Sequence, residues 1–356
     1  MTVTERRVVA NDAASTDAGA APSDDVDKPE YGALKRQVNA IVANTSWWQL
    51  YGVDWSHIII SALLLWPLGL VLFSRGGMAN YVVGLLLQGV AYAIVANKGG
   101  HIASHGALCR SRTWARFWCW LFVECHGSYS AAIATEVHIR VHHPHTNVIG
   151  LGDSSSWKAP HLPRYIYMFV APVSLPVITP FVAIRELWGR WNRLARFLVG
   201  MLSGLGVLLS LLCYVGGFSL PAAIVTLYVG RALLAVPYIH INIFQHIGLP
   251  MYSDETRPPR LQLMSTGCLN LSRHPILDYC FGHSLVSCHV EHHLFPELSD
   301  NMCLRVKPVV RKYLLDHKQT YNESTYTNRL QLFVKKYKEL MVDPPSVSEF
   351  VGFGLQ

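Results

Sequence analysis

The chain has 356 residues, of which 51% are hydrophobic and only 15% charged, and its formal net charge is +7. Soluble domains carry about 25% charged residues, so this composition excludes an ordinary soluble domain and points to an integral membrane protein. The Lys and Arg residues cluster beside long apolar runs, which fits a membrane surface and argues against nucleic acid as a partner.

The N-terminus, MTVTERRVVANDAASTDAGAAPSDD, has no apolar core of the kind a signal peptide needs. It is expected to be disordered to about Glu30. Residues 31–43 suit a short amphipathic helix, so 1–44 read as a tail. Trp47, Trp48, Tyr51 and Trp55 then cluster as aromatic residues do at a membrane interface. Residues 56–73 form an uncharged run of spanning length, and 78–97 form a second after a turn with Arg75 and two glycines. This pair predicts a membrane hairpin with both ends on one side. Residues 197–218 and 219–240 predict another.

Lys98, Arg110, Arg112 and Arg116 follow the first hairpin, and Arg185, Arg190, Arg193 and Arg196 precede the second. The positive-inside rule therefore puts 98–196 in the cytosol and both hairpin tips across the membrane. Two further apolar stretches read as interfacial or re-entrant. Residues 117–135 contain Glu124, His126 and Gly127, and 165–184 contain Pro172, Pro176 and Pro180. If 117–135 crossed, the histidines on either side of it would face opposite compartments. Residues 245–356 lack a long apolar run and are expected to form a cytosolic cap. The fold class is then an all-α integral membrane protein. Four transmembrane helices form two hairpins, the cap carries the histidines, and both termini are cytosolic. The membrane domain is 45–342, followed by a tail, 343–356.

The eight cysteines are scattered with no C-x-x-C pair, so neither a thiolate zinc site nor a redox motif is visible. The 17 histidines are not scattered. His101 and His105 form H-x3-H. His138, His142 and His143 form H-x3-HH. His289, His292 and His293 form H-x2-HH. Asn242 and His246 form N-x3-H after the fourth span. Residues three or four apart share a helix face, so each box is expected to aim its imidazoles one way. Three boxes on one side of a membrane argue for metal. A pH sensor built from them would repel itself on protonation. Nine histidines and one asparagine exceed the needs of one ion and suit two. Iron leads because it activates dioxygen, although ligand type alone leaves zinc open. A membrane setting implies a lipophilic substrate.

The boxes HIASH, HIRVHH and HVEHHLFP resemble those of the membrane fatty acid desaturases. HHPHTN, GLGDSSSW, NIFQHIGLP and HVEHHLFPELSDNMCLRVKP look most like the branch called fatty acid desaturase 6. The resemblance covers residues 45–342. It implies a non-haem di-iron enzyme at the cytosolic face that uses O2 and two electrons to place a cis double bond in an acyl chain. Carried over by position, its ligands are His101, His105, His138, His142, His143, His246, His289, His292 and His293. In stearoyl-type members an asparagine at the position of Asn242 holds iron through water.

Two departures stand out. Ile102 occupies the place of an acidic residue in many first boxes, so Glu124, Glu136 and Glu291 are candidates for that supporting role. The chain also has no HPGG haem motif, so electrons are expected from a separate carrier such as cytochrome b5 and its reductase. The substrate is expected to be an acyl-CoA or acyl-lipid, and the location the endoplasmic reticulum. Arg231, inside the fourth span, and Trp157, in GDSSSWK, are candidate substrate contacts. His145, after Pro144, is expected to be a bystander. A related lipid hydroxylase, or a non-catalytic metal transporter or lipid-binding relative, are the alternative readings.

Overall fold

Large apolar side chains with no partner to bury against mark out the membrane zone. Leu63, Leu64, Val199, Leu202 and Val207 all point outward from their helices. A computed structural model describes residues 30–149, 151 and 162–341. The expectation of disorder at the N-terminus and Trp157 both lie outside the described residues.

Helix α1 is Tyr31–Ala43, as its pattern predicts. Leu34 and Val38 insert between the helix and the cap, where Val306, Val310 and Tyr313 meet them. Helices α2 (Trp48–Ser74) and α3 (Met78–Ser104) form the first hairpin. Both are longer than their hydropathy alone suggests: α2 starts at the aromatic cluster, and α3 carries His101 on its last turn. Gly76 and Gly77 take positive φ at the hairpin tip, which glycine alone adopts without strain.

Residues 112–126 form α4 and 131–142 form α5. Between them Ser128 takes φ 59°. The tip of this helical hairpin meets the membrane helices, since the His126 ring packs on Tyr92 of α3. Tyr92 precedes His101 by about two and a half turns, or roughly 13 Å of helix. Residues 117–135 thus belong to a helix pair whose tip packs on α3.

Helices α6 (Ile166–Glu186), α7 (Trp191–Tyr214) and α8 (Leu220–Phe244) follow. Among the described residues, five helices are long and apolar enough to cross a membrane: α2, α3, α6, α7 and α8. The fifth, α6, is the proline-containing stretch left out of the sequence count. The His240 ring meets the Met168 carbonyl at 2.9 Å near the start of α6. Past its end, Arg190 pairs with Glu136 at 3.4 Å.

The remainder is a cap of short helices: α9 (Arg260–Gly267), α10 (Pro275–Phe281), α11 (His289–Leu294), α12 (Asp300–Asp316), α13 (Tyr326–Lys335) and α14 (Tyr337–Leu340). One departure from an all-helical fold is a parallel pair, β1 (Asn270–Leu271) with β2 (Glu323–Ser324). It ties the chain before the third histidine box to the chain after α12. Arg329 of α13 donates to the carbonyls of Phe244 and Ile247, pinning the cap to the end of α8.

Close contact between α4 and α7 needs glycine. A Cβ at Gly200 would lie 2.8 Å from the Trp120 indole nitrogen, and one at Gly204 would collide with the Cys125 carbonyl. Gly204→Ala should therefore cost about 1–3 kcal/mol of stability as the helices are forced apart. A lower melting temperature of the detergent-solubilised protein is the expected result; an unchanged one contradicts this packing.

Candidate metal centre

Eight histidines converge in two groups whose ligand atoms lie within 4.8 Å of one another. One group is His101, His105, His138 and His292, and the other His142, His246, His289 and His293. The ninth, His143, stands between them. Its ring centre is 4.7 Å from His105, His138 and His292, and 4.2 Å from His293.

Local helix geometry decides which ring joins which group. The second box is wound as a π-helix, in which the His143 N–H reaches the His138 carbonyl at 3.1 Å, five residues back. His138 and His143 therefore share a side, and His142 turns to the other group. In α11, an ordinary helix, successive residues diverge by about 100°. His289 and His293, four apart, share one group while His292 faces the other. This corrects the expectation that each box aims all its rings one way. The doublet of the third box divides between the groups, and in the second box His142 joins one group while His143 stands between the two.

The rings are oriented from behind. His246 Nδ1 meets the Gly267 carbonyl at 3.0 Å, and His289 Nδ1 meets the Ser284 carbonyl at 3.0 Å. Thr146 donates to the His142 carbonyl at 2.8 Å, so its oxygen accepts from His293 Nδ1 at 3.0 Å. Such contacts fix the tautomer and leave Nε2 free to ligate. Several ring nitrogens here have no hydrogen-bond partner although buried: His105 Nε2, His143 Nδ1, both nitrogens of His292, and His293 Nε2. Elsewhere Nε2 atoms crowd together, at 2.8 Å between His246 and His289 and 3.1 Å between His101 and His138. Unpartnered buried nitrogens cost stability, and a metal ion satisfies them. The residues present fit a metal pair.

A fatty acid desaturase family model matches residues 76–325. The chain belongs to the fatty acid desaturase family. It is similar to the cattle protein named fatty acid desaturase 6, 47% identical over 323 residues that cover 90% of this chain and 94% of the relative. The human protein of that name is 46% identical, covering 90% of each, and the mouse one 44% identical, covering 94% and 98%. This membrane desaturase is an oxidoreductase of lipid metabolism.

The other residues singled out by sequence fall variously in the desaturase. Asn242 is half-buried one turn before His246 and donates to the Tyr238 carbonyl at 2.7 Å. His145 lies outside both groups, with Nδ1 2.9 Å from Arg257. Glu124 accepts from the Ala131 N–H at the α4–α5 turn, and Glu136 pairs with Arg190. Glu291 is fully buried behind α11, held by Tyr321 at 2.7 Å and Asn270 at 3.0 Å. Burial pushes its carboxyl up to about 7. Arg231 is buried. It donates to the His126 carbonyl at 2.6 Å and Ser128 Oγ at 2.9 Å, and lies over the Tyr92 ring. Its visible task is to hold the tip of the α4–α5 hairpin. It also borders a cavity of about 20 Å³, room for about one water.

Sequence reasoning missed Asn147, whose Nδ2 contacts the carbonyls of His246, Pro250 and Gly267 at 3.2–3.3 Å. Its φ of 55° is one that asparagine tolerates, and the string HHPHTN was the available signal. Lys98 was counted with the basic surface segment. It is 1% exposed, paired with Asp300 at 3.2 Å and near Asp54 at 4.0 Å.

Burial first, and then neighbouring imidazoles, push His105, His138, His143, His246, His292 and His293 well below the usual histidine value; His289 falls to about 3. Unfolded histidines titrate near 6.5, so below about pH 6.5 the unfolded chain binds more protons than the folded one. Stability contributed by neutral burial is complete above that pH and is lost as pH falls toward the folded values. The melting temperature of metal-free protein should accordingly drop between about pH 7 and about pH 5; a flat profile contradicts the buried neutral cluster. His142→Ala should lose bound iron that His145→Ala retains, measured by elemental analysis of purified protein.

Proposed function

We propose that this desaturase holds one iron in each histidine group and uses O2 and two electrons to place a cis double bond in a fatty acyl chain. The observation that carries the reading is the meeting of the two groups at His143, whose ring touches His292 of one and His293 of the other. His101, His105, His138, His143 and His292 would hold the first iron. His142, His246, His289 and His293 would hold the second, and Asn242 would add a contact through water. An all-imidazole set without thiolate suits iron.

Iron bound there supplies the dioxygen chemistry that removes two hydrogens from adjacent methylenes. The balance is one –CH2–CH2– unit, one O2, two electrons and two protons in, one –CH=CH– unit and two waters out. This chain's own residues orient the rings through Thr146, Gly267 and Ser284, and exclude bulk water by burying His246, His289, His292 and His293. The acyl group would arrive as an acyl-CoA or acyl-lipid, and the electrons from a separate carrier such as cytochrome b5 and its reductase.

Four crossings fit this site better than five. His101 lies on the last turn of α3 and His246 just after α8, yet their groups are adjacent, so an even number of crossings separates them. Helices α6, α7 and α8 lie between, and α6 is the one that returns. Its first turns contact His240, and its far end leads to Arg190, paired with Glu136 two residues before His138. Both contacts lie near the histidines. The arginines around α6 and α7 favour the cytosolic side for this face and both termini, in the endoplasmic reticulum.

Expression in cells lacking their own desaturases, with lipid profiling, tests the activity. New double bonds are expected, and His292→Ala should abolish them. Hydroxylated products with no new double bond would instead assign the chain to the hydroxylases.

A further inference from the structure

The first histidine box lacks the acidic residue that its position often holds, because Ile102 stands there. A carboxylate reaches the same region from a distant part of the chain. Asp300 opens α12 and is 1% exposed. Its Oδ1 accepts both the Ser284 N–H at 2.7 Å and the Ser284 hydroxyl at 2.9 Å.

Ser284 touches both metal groups. Since its hydroxyl proton goes to Asp300, its oxygen is left to accept from His101 Nδ1, 3.5 Å away. Its carbonyl accepts from His289 Nδ1 at 3.0 Å. His101 belongs to one group and His289 to the other. One serine therefore stands behind a ring of each.

The carboxylate is fixed in turn. Lys98 of α3 pairs with Asp300 at 3.2 Å and contacts His57 Nδ1 at 2.9 Å. Asp54 of α2 lies 4.0 Å from the same ammonium and accepts from the Asn301 N–H at 3.2 Å. A buried carboxylate is tolerated when it is paired and hydrogen-bonded, and the α12 N-terminus adds a favourable dipole. Gly282 makes the approach possible: it takes φ 93°, and a Cβ there would lie 2.5 Å from Asp300 Oδ1. Of the carboxylates considered from sequence, Glu124, Glu136 and Glu291 are each engaged elsewhere.

We propose that Asp300 and Ser284, with Lys98 as counter-ion, form a clamp that positions one ligand ring in each metal group. They are positioning residues, and they bind no metal themselves. The clamp fixes the spacing between the two groups to the first membrane hairpin through Lys98 and Asp54. The proposal rests on the two-metal reading above.

The test is a Co²⁺ titration of purified, metal-free, full-length protein, followed through the visible absorption of bound cobalt. Wild type should take up two ions. Ser284→Ala removes the acceptor for His101 but keeps the carbonyl for His289. One of its two ions should bind about 10–100-fold more weakly, with a changed absorption band, while the other is unaffected. Ser284→Thr keeps the hydroxyl and should restore the weakened ion. Asp300→Asn, which loses the pairing with Lys98, should weaken both. Wild-type cobalt binding in Ser284→Ala or in Asp300→Asn overturns the clamp alone. So does a weakening in Ser284→Ala that Ser284→Thr shares, or one matched by a lower melting temperature of the metal-free variant, since those mark a merely structural role. Failure of the wild type to bind two ions overturns the two-metal reading and the clamp with it.

Discussion

Nine imidazoles packed against one another, five of them buried and four half-buried, are the constraint on which this structure turns. Each is costly when charged and costly when its inward nitrogen has no partner. Neutral rings lower the first cost, and a metal removes the second. The chain commits to both by surrounding the rings with protein and aiming their outer nitrogens at fixed acceptors. Thr146, Gly267 and Ser284 supply such acceptors for His293, His246 and His289.

Holding such a cluster at the end of a membrane bundle requires that its ligands come from elements that end at one depth. Helix α3 delivers His101 on its last turn, and α8 ends just before His246. The α4–α5 hairpin solves a different problem. It leaves the first box, dips to the level of Tyr92, and returns with the second box facing the first. Arg231 holds its tip by the carbonyl of His126. A charge inside a membrane helix is expensive, and here it is spent on anchoring backbone that no regular ladder satisfies. The third box arrives from the cap, and α1 and α12 close over it.

Much of this was legible beforehand. Four of the apolar helices, the amphipathic α1 and the nine clustered histidines all follow from composition and spacing. Each rests on a local property, hydropathy or box spacing, that survives folding. The boundaries were less legible, since α2 begins among aromatic residues whose hydropathy is modest. Helix α6 was ambiguous because three prolines and a spanning length argue in opposite directions. Lys98 was misread as a surface cation because its partners, Asp54 and Asp300, are remote in sequence.

The sequence by itself determined that this is a histidine-rich membrane protein and which imidazoles gather, and the resemblance of its boxes pointed to the desaturases. Residue type and spacing suffice for the gathering, because a metal box is a local pattern. Only the tertiary structure decided how the rings divide. A π turn in the second box sends His142 to one group and leaves His143 between the two, and an α turn in the third box sends His292 and His293 to different groups. Helix register and long-range carboxylates such as Asp300 set that division. Neither is encoded in any stretch short enough to read as a motif.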